Sequence, residues 1–286
     1  RHTRFKCDWS SDVCSSDLGC KATLLAKEFE TPLFVLDEED FRSRASSWKG
    51  ALHRHFGENA GEVYYAAKSF ICVEVAKMVK ESGIGIDVCT GGELAVALAA
   101  DFPTDRIELH GNNKSLSEIE EAIKVGVSRI VVDSIQEINR VQETASRLGK
   151  NQKVLIRITP GVEAHTHEAI STAHEDVKFG LSIATGAAWK AIELIEASSN
   201  LSLQGFHCHI GSQIFNTEGY EIAIKRIVEL NAKFRDSFNR ELSEFDIGGG
   251  FGIAYLPDET TMDPDTALAK LSKVIKTEFA NKKLAL

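Results

Sequence analysis

The sequence predicts an α/β fold built on a parallel (β/α)8 barrel of the TIM type. Strand-like and helix-like hydrophobic patterns alternate from Thr31 onward with little interruption. The alternation gives a run of seven consecutive strand–helix pairs, and that count favours an eight-stranded barrel over an open sheet. Polar and glycine residues concentrate where the strand candidates end, which is where barrel enzymes carry their chemistry.

Composition narrows the class of protein. The chain has 286 residues, of which 43% are hydrophobic and 26% charged, enough for one large α/β domain or two smaller ones. No apolar run approaches a membrane span and the first residues lack the core of a secretory signal, so a cytoplasmic location is the default expectation. The net charge of -9, without a basic stripe, argues against a nucleic-acid partner. The six cysteines show no paired metal spacing, which predicts reduced thiols.

The chain begins with a segment that does not match the rest. Residues 1–22 are expected to be a non-native-looking or disordered tail, because Trp9–Leu18 repeats Ser-Ser-Asp without any helical or strand period. The barrel domain is expected over residues 23–286. A short strand is predicted at Leu33–Leu36, before the seven strand–helix pairs, followed by Asp37 as the N-cap of an amphipathic helix.

The next strand candidate, Val63–Ala67, ends at Lys68. Its β-branched, aromatic and small residues suit a strand that is buried on both faces, and a helical pattern begins at Val73. A lysine at the tip of a buried parallel strand lies in apolar surroundings that favour a Schiff base. From these residues alone, a lysine that simply extends into solvent remains an open alternative.

The remaining elements follow in alternation. The strands are predicted at Ile84–Cys89, Ile107–Gly111, Arg129–Asp133, Val154–Thr159, Leu203–Ile210 and Phe245–Gly248. The helices are predicted at Val73–Glu81, Gly92–Ala100, Leu116–Val125, Ile135–Leu148, Thr185–Ala197, Tyr220–Arg235 and Asp265–Phe279. An eighth strand would start within Lys283–Leu286, where the sequence stops.

A long polar insertion, Gly161–Leu181, follows the strand Val154–Thr159. Long loops of this kind on barrels are usually functional or disordered. Its histidines His165, His167 and His174 match no known metal-ligand spacing, which favours a solvated loop and predicts no metal site.

Several strand tips carry residues suited to binding a cofactor. His207 and His209 are two residues apart on a strand, so their side chains point to the same side. A histidine such as His209 can stack on a flat cofactor, or it can be a hydrogen-bonded core residue, and both interpretations stay open here. Ser212, beside Gly211, can offer a hydroxyl and a backbone N–H to an anion.

Gly248, Gly249 and Gly250 directly follow the last complete strand. Backbone amides without Cβ atoms let an anionic group approach closely, as in phosphate sites after late barrel strands. The run is not the G-x-G-x-x-G dinucleotide fingerprint and does not follow the first strand, which counts against a nicotinamide site. A lysine, a histidine and a glycine turn together favour pyridoxal 5'-phosphate as the cofactor.

Six motifs occur in order along the chain: YYAAKS, GIDVCTGGEL, HGNNKS, EDVKFGLS, GFHCHIGSQI and FDIGGGFGI. In order and spacing they resemble the diaminopimelate decarboxylases, a family of the alanine-racemase-like (fold type III) pyridoxal-phosphate enzymes. The resemblance runs from about Thr31 to Leu286. It implies a barrel of the alanine racemase N-terminal-domain kind, and a cytoplasmic homodimer that converts the amino acid meso-2,6-diaminopimelate to L-lysine and carbon dioxide.

The resemblance also implies roles for individual residues. Lys68 would carry the cofactor covalently, and His209 would stack on its pyridine ring. Ser212 and the amides of Gly248 to Gly250 would hold the phosphate. Asp87 would lie near the lysine and orient or tune it.

The sequence departs from the family at its C-terminal end. The Glu-Pro-Gly-Arg motif, whose glutamate pairs with the pyridine nitrogen, would follow Leu286, and so would the β-rich second domain. We therefore expect a barrel that lacks most of its eighth strand and is inactive by itself. Two alternatives are another basic amino-acid decarboxylase of fold type III and a non-catalytic regulatory homologue that binds the cofactor. A racemase is disfavoured by HIGSQ and HGNNK.

Overall fold

The computed structural model describes residues 21–58, 60–161, 178–254 and 260–283. Its strands are β1 (Tyr64–Ala66), β2 (Gly85–Val88), β3 (Ile107–Leu109), β4 (Arg129–Val132), β5 (Gln152–Thr159), β6 (Leu181–Ser182), β7 (Leu201–His207) and β8 (Glu244–Asp246). Its helices are α1 (Ala22–Phe29), α2 (Glu38–Phe56), α3 (Val73–Glu81), α4 (Gly91–Ala99), α5 (Leu116–Val125), α6 (Ile135–Arg147), α7 (Ala187–Glu196), α8 (Glu218–Phe238) and α9 (Pro264–Lys282).

The strands form one parallel sheet in the order β1-β2-β3-β4-β5-β7-β8, and β6 pairs with β5 beside this path. Helices connect successive strands, so the sheet curves into a partial (β/α)8 barrel, which confirms the predicted fold class. Among the described strands, β1 and β8 do not pair with each other. They flank an open seam in the barrel wall.

The helices follow the sequence prediction closely because amphipathic periods and caps define their ends. Helices α3 and α5 have the predicted bounds, and the Asp37 side chain accepts a hydrogen bond from the Asp40 amide at 2.9 Å, as expected of an N-cap. Ser115 and Glu118 form a capping box at the start of α5. No helix in the described ranges is both long and apolar enough to cross a membrane.

Two strand predictions were wrong. Leu33–Leu36 is exposed and forms no strand, because no neighbouring strand in the described residues offers its backbone a partner. Strand β1 is half-buried rather than buried on both faces, because it lies at the end of the sheet beside the open seam. The sequence analysis also missed helix α1 and the short strand β6.

Some predictions fall outside the described residues. These are the tail up to residue 20, the loop histidines His165, His167 and His174, and the last three residues of the proposed eighth strand. Helix α1 begins at Ala22, the last residue of the predicted tail. The division of the chain at residue 23 stays a prediction.

The main core lies between the sheet and the helices packed on its outer face. Ile86, Ile107, Ile130 and Ile156 each have 0% of their surface exposed, and burying an aliphatic side chain of this size contributes about 1.5 to 3 kcal/mol. A second cluster joins α2, α8 and α9. The first and last barrel helices therefore meet beside the seam that the strands leave open.

Gly205 on β7 sets how closely β8 approaches. A Cβ atom at this position would lie 1.7 Å from the Glu244 carbonyl oxygen, so a side chain cannot fit there. The close contact places Asp246, and the glycine turn after it, against β7 through the pair His207–Asp246. Strand register thus places His207 and Asp246 at the same height along the barrel axis.

Candidate functional site

A cavity of about 1810 Å³ opens at the carboxyl ends of the strands and extends along the seam. It is lined by Lys68, Asp87, His209 and the three glycines Gly248 to Gly250, which the sequence analysis selected separately. Ser212 is the exception, because it is exposed and does not line the cavity. Parallel strands whose tips share one end of a barrel bring these distant segments together.

Lys68 lies in a single 3₁₀ turn, Ala67–Ser69, immediately after β1. The turn is fixed on both sides: the Ser69 hydroxyl donates to the Ala66 carbonyl at 2.8 Å, and the Tyr65 hydroxyl donates to the Phe70 carbonyl at 2.6 Å. Within the described residues the Lys68 amine has no hydrogen-bond or ion-pair partner. Its position is fixed while its nitrogen stays available.

Asp87 lies on the strand beside that of Lys68, since Ala66 and Asp87 are register partners. The Cys89 thiol donates to Asp87 Oδ1 at 3.7 Å. Burial, followed by the negative charge of Asp87, raises the pKa of Cys89 to about 12. The thiol therefore stays protonated near pH 7 and acts as a weak donor to Asp87 rather than as a nucleophile.

His209 follows β7 and faces the cavity beside the glycine turn. Burial, followed by the positive charges of Lys68 and Arg157, lowers the pKa of His209 to about 4. Its imidazole is therefore neutral at pH 7, and a neutral ring can pack against another flat ring without competing for hydration. A Cβ atom on Gly250 would lie 3.3 Å from Cε1 of His209, so the ring and the turn are in immediate contact.

The glycine turn is shaped by two residues with positive φ, Gly248 at 69° and Gly250 at 101°. A Cβ atom would lie 2.3 Å from the Cys208 carbonyl oxygen at Gly248 and 1.9 Å from the Gly211 carbonyl oxygen at Gly250. No side chain fits at either position, and the backbone of the turn is left bare.

Two hydrogen bonds fix the glycine turn, and two of its backbone amides remain available. Asp246 Oδ1 accepts from the Gly248 amide at 2.7 Å, and the Tyr220 hydroxyl donates to the Gly249 carbonyl at 3.0 Å. The amides of Gly249 and Gly250 donate to no described residue. Unpaired amides in such a turn form an anion-binding concavity.

An acid–histidine cluster, formed by Asp87, Glu108, His110 and Asp246, lies next to these residues. His110 Nε2 is 3.4 Å from Glu108 Oε2 and 3.9 Å from Asp87 Oδ1. Burial by itself disfavours protonation of His110, but the negative charges of the surrounding carboxylates raise its pKa above the ordinary value. Burial and the charge of Glu108 likewise raise the pKa of Asp246.

His207 packs edge-on against His110, with ring centroids 4.9 Å apart and an interplanar angle of 81°. Burial, followed by the charges of His110 and Arg157, keeps the pKa of His207 well below its ordinary value. Its Nδ1 atom is buried and has no hydrogen-bond partner among the described residues. Neighbouring charges thus favour protonation of His110 and disfavour protonation of His207.

Deeper in the barrel, Arg129 binds Glu244 through two side-chain hydrogen bonds and lies 3.7 Å from Glu108. Glu108, His110 and Asp246 place donor atoms within 4.8 Å of one another, the closest approach to a metal-ligand set in the described residues. Arg129 already supplies positive charge to Glu108, and the pKa of His110 is raised, so we do not assign a metal there.

Sequence reasoning missed the acid–histidine cluster, although one signal was available. Glu108 and His110 are two apart on a strand candidate, which places both side chains on the same face. The buried Lys114 in the same HGNNK motif was also missed. Its ammonium donates to the carbonyls of Gly111 and Val131, at 2.6 and 2.7 Å, and to Glu137 at 2.6 Å, which fixes the loop after β3.

Comparison with known proteins places this site in a family context. Residues 38–286 match the family model described as pyridoxal-dependent decarboxylase, pyridoxal binding domain. The chain is 50% identical over 264 residues to a diaminopimelate decarboxylase of Mycobacterium tuberculosis, covering 91% of this chain and 58% of that protein. It is 41% identical over 261 residues to the Bacillus subtilis enzyme of the same name, covering 90% and 58%.

Among solved structures, a diaminopimelate decarboxylase from M. jannaschii in complex with L-lysine matches with a TM-score of 0.81 and 31% identity. The match covers 93% of this chain and 60% of that one. A lysine/ornithine decarboxylase from Vibrio vulnificus matches with a TM-score of 0.72 at 23% identity, covering 89% and 62%, which supports the fold alone. The chain thus spans about three fifths of the length of these relatives.

Proposed function

The chain belongs to the pyridoxal-dependent decarboxylases, and we propose that it is the pyridoxal-binding portion of an enzyme that converts meso-2,6-diaminopimelate to L-lysine and carbon dioxide. One observation carries the proposal: an unpaired lysine amine, a neutral histidine ring and a turn with bare amides line the same cavity. The substrate is proposed from relatives of which the chain spans only 58%.

The residues of the cavity fit pyridoxal 5'-phosphate. Lys68 would hold the aldehyde carbon covalently, and the ring of His209 would cover one face of the pyridine. The amides of Gly249 and Gly250 would bind the phosphate, because they donate to no described residue. When bound, this cofactor withdraws electrons from the carbon that loses carbon dioxide.

Ser212 is proposed as a further phosphate donor, although it does not line the cavity. It directly follows Gly211, whose carbonyl lies against Gly250. A hydroxyl at the rim of the glycine turn has access to an anion that approaches from solvent. Asp87 is proposed to tune the reactivity of Lys68 from the neighbouring strand.

We also propose that the complete enzyme works in the cytoplasm as a homodimer, as the family resemblance implies. Sedimentation of the full-length protein at several concentrations tests the dimer, and a monomer at micromolar concentration would contradict it.

The function is tested by lysine release from meso-diaminopimelate by the full-length protein loaded with pyridoxal phosphate. We expect release by the unchanged protein and none above background by Lys68→Ala, because no other described amine takes its place in the cavity. The absorbance band of the bound cofactor near the edge of the visible range should vanish in the same variant. Lys77→Ala, on the exposed face of α3, is the matched control.

Two results would contradict the proposal in different ways. A band that persists in Lys68→Ala would remove Lys68 as the attachment site. A normal band without lysine release, accompanied by carbon dioxide release from ornithine or arginine, would assign the chain to another basic amino-acid decarboxylase.

A further inference from the structure

We infer that His110 is a positioning residue, which holds Asp87 away from Lys68 and so leaves the lysine amine unpaired for capture of the cofactor. The inference rests on the proposed function, because it concerns the same lysine. It assigns a task to a strand-tip histidine to which the sequence analysis gave no individual role.

Asp87 and Lys68 are close enough in the fold for an ion pair to be expected. Asp87 is the register partner of Ala66, and Lys68 comes two residues after Ala66, so both side chains start at the same end of adjacent strands. The two residues line one cavity. Nevertheless the Lys68 amine has no ion-pair partner among the described residues.

Asp87 is instead engaged from its other side. Its Oδ1 atom accepts from the Cys89 thiol at 3.7 Å and lies 3.9 Å from His110 Nε2. The contact with His110 links the carboxylate to the residue that follows β3. The raised pKa of His110 favours its protonated form, and an imidazolium there competes with a lysine ammonium for Asp87.

The position of His110 is itself fixed. Its side chain is 8% exposed, and its backbone amide donates to the Val88 carbonyl on β2 at 2.7 Å. His207 packs edge-on against its ring, and the buried Lys114 anchors the loop that follows. The contact with His207 and the backbone hydrogen bond limit how far the ring can move away from Asp87.

The charges around His110 come from several elements. Carboxylates face His110 from β2, β3 and β8, namely Asp87, Glu108 and Asp246. His207 on β7 and His209 after it also interact with His110, and Arg157 on β5 and Lys68 after β1 lie near His207. The carboxylates outweigh the burial of the ring and raise the pKa of His110. Loss of the His110 imidazole would remove the neighbour that lies 3.9 Å from Asp87.

The competition between His110 and Lys68 for Asp87 affects how fast the lysine amine reacts with the aldehyde of the cofactor. The neutral amine nitrogen bonds to the aldehyde carbon and water leaves, so an ammonium must first give its proton to solvent. An ion pair with Asp87 would stabilise the ammonium and therefore slow capture.

The experiment follows the absorbance of the full-length protein, freed of cofactor, after it is mixed with pyridoxal phosphate between pH 6 and 10. We expect His110→Gln to slow capture by roughly tenfold near pH 7, the factor that corresponds to one pKa unit. The deficit should shrink as the pH rises, because the ammonium then loses its proton in any case. His53→Gln on α2, outside the cavity, is the matched control.

Two further variants separate positioning from a general loss of structure. His110→Phe keeps a ring against His207 but no proton, and it should show the same pH-dependent deficit. Adding Asp87→Asn to His110→Gln should restore the neutral-pH rate to within about threefold of Asp87→Asn alone, because the competing carboxylate is gone.

Each outcome decides the inference. A slowdown equal at every pH, an unchanged rate, or no rescue by Asp87→Asn would overturn it while leaving the proposed function intact. Absence of a band in the unchanged protein would overturn the proposed function and the inference with it. Lysine release is not needed for any of these readouts.

Discussion

Histidines in the same barrel mouth differ in charge because their neighbours differ. His209 is surrounded by the positive charges of Lys68 and Arg157, whereas His110 is surrounded by the carboxylates of Asp87, Glu108 and Asp246. The His110 ring is buried and the His209 ring is partly buried, so burial acts to lower the pKa of both. Neighbouring charges oppose this effect at His110 and reinforce it at His209.

The lowered pKa of His209 makes stability depend on pH. Below about 6.5 an unfolded chain binds a proton that folded His209 accepts only near 4, so the free energy of unfolding should fall as the pH drops through this window. His207 acts in the same direction. Replacing His209 by Phe keeps a ring that cannot be protonated, and it should reduce this loss by at most about 1 kcal/mol per pH unit.

The measurement is denaturant unfolding of the full-length protein at pH 7 and at pH 5. His53→Gln serves as the control, because it removes a histidine that lies outside the cavity. The link between the lowered pKa of His209 and stability is contradicted if His209→Phe and the unchanged protein lose the same free energy of unfolding between the two pH values.

At the scale of elements, the glycine turn after β8 depends on two positions and tolerates change at the third. Gly250→Ala would place a Cβ atom 1.9 Å from the Gly211 carbonyl oxygen at a φ of 101°. We expect a loss of about 2 kcal/mol or more in the free energy of unfolding, together with weaker binding of pyridoxal phosphate. Unfolding and cofactor titration of the full-length protein measure the two effects.

Gly249→Ala is the matched control for stability. A Cβ atom at Gly249 meets nothing within 4 Å, and its φ is not in the left-handed region. Its free energy of unfolding should change by less than about 0.5 kcal/mol. Equal losses for the two variants would show that steric crowding is not what requires glycine at position 250.

The amino-acid pattern predicts individual helices better than it predicts which distant residues come into contact. Helices such as α3 and α5 have the expected bounds because their apolar period and caps are local. Lys68 and the glycine turn were also found, since each stands directly after a strand pattern. The strand prediction at Leu33–Leu36 was wrong because an apolar run does not show whether a partner strand lies beside it.

The acid–histidine cluster could not be assembled from the sequence for a related reason. Asp87, His110 and Asp246 come from three strands, and their distances depend on register between neighbours. Hydrophobic periodicity gives the face on which each side chain lies but not the level along the barrel. The same limit applies to the edge-on packing of His207 against His110.

For the whole molecule, the ion pair between Arg129 and Glu244 joins opposite walls of the barrel. These residues belong to β4 and β8, which are separated by β5 and β7 in the sheet order. Their side chains are 20% and 24% exposed. Arg129→Met should therefore cost about 2 to 3 kcal/mol of unfolding free energy, below the 3 to 5 of a fully buried pair.

A double-mutant cycle with Glu244→Gln isolates the pair. The two single losses should exceed that of the double variant by about 1 kcal/mol or more. Lys77→Ala, which breaks the exposed pair with Glu74, should leave the free energy of unfolding nearly unchanged and serves as the control. Strict additivity in the cycle would mean that the two side chains act independently.

Helices α2 and α9 share the second apolar cluster, and Arg54 on α2 binds Asp265 on α9 at 2.8 Å. This contact has a consequence during synthesis. A ribosome that adds about 5 to 20 residues per second exposes α2 roughly 10 to 45 s before α9 emerges. The apolar face of α2 is therefore exposed in the nascent chain before α9 is available to cover it. A chaperone that binds exposed apolar segments can bind α2 during this interval.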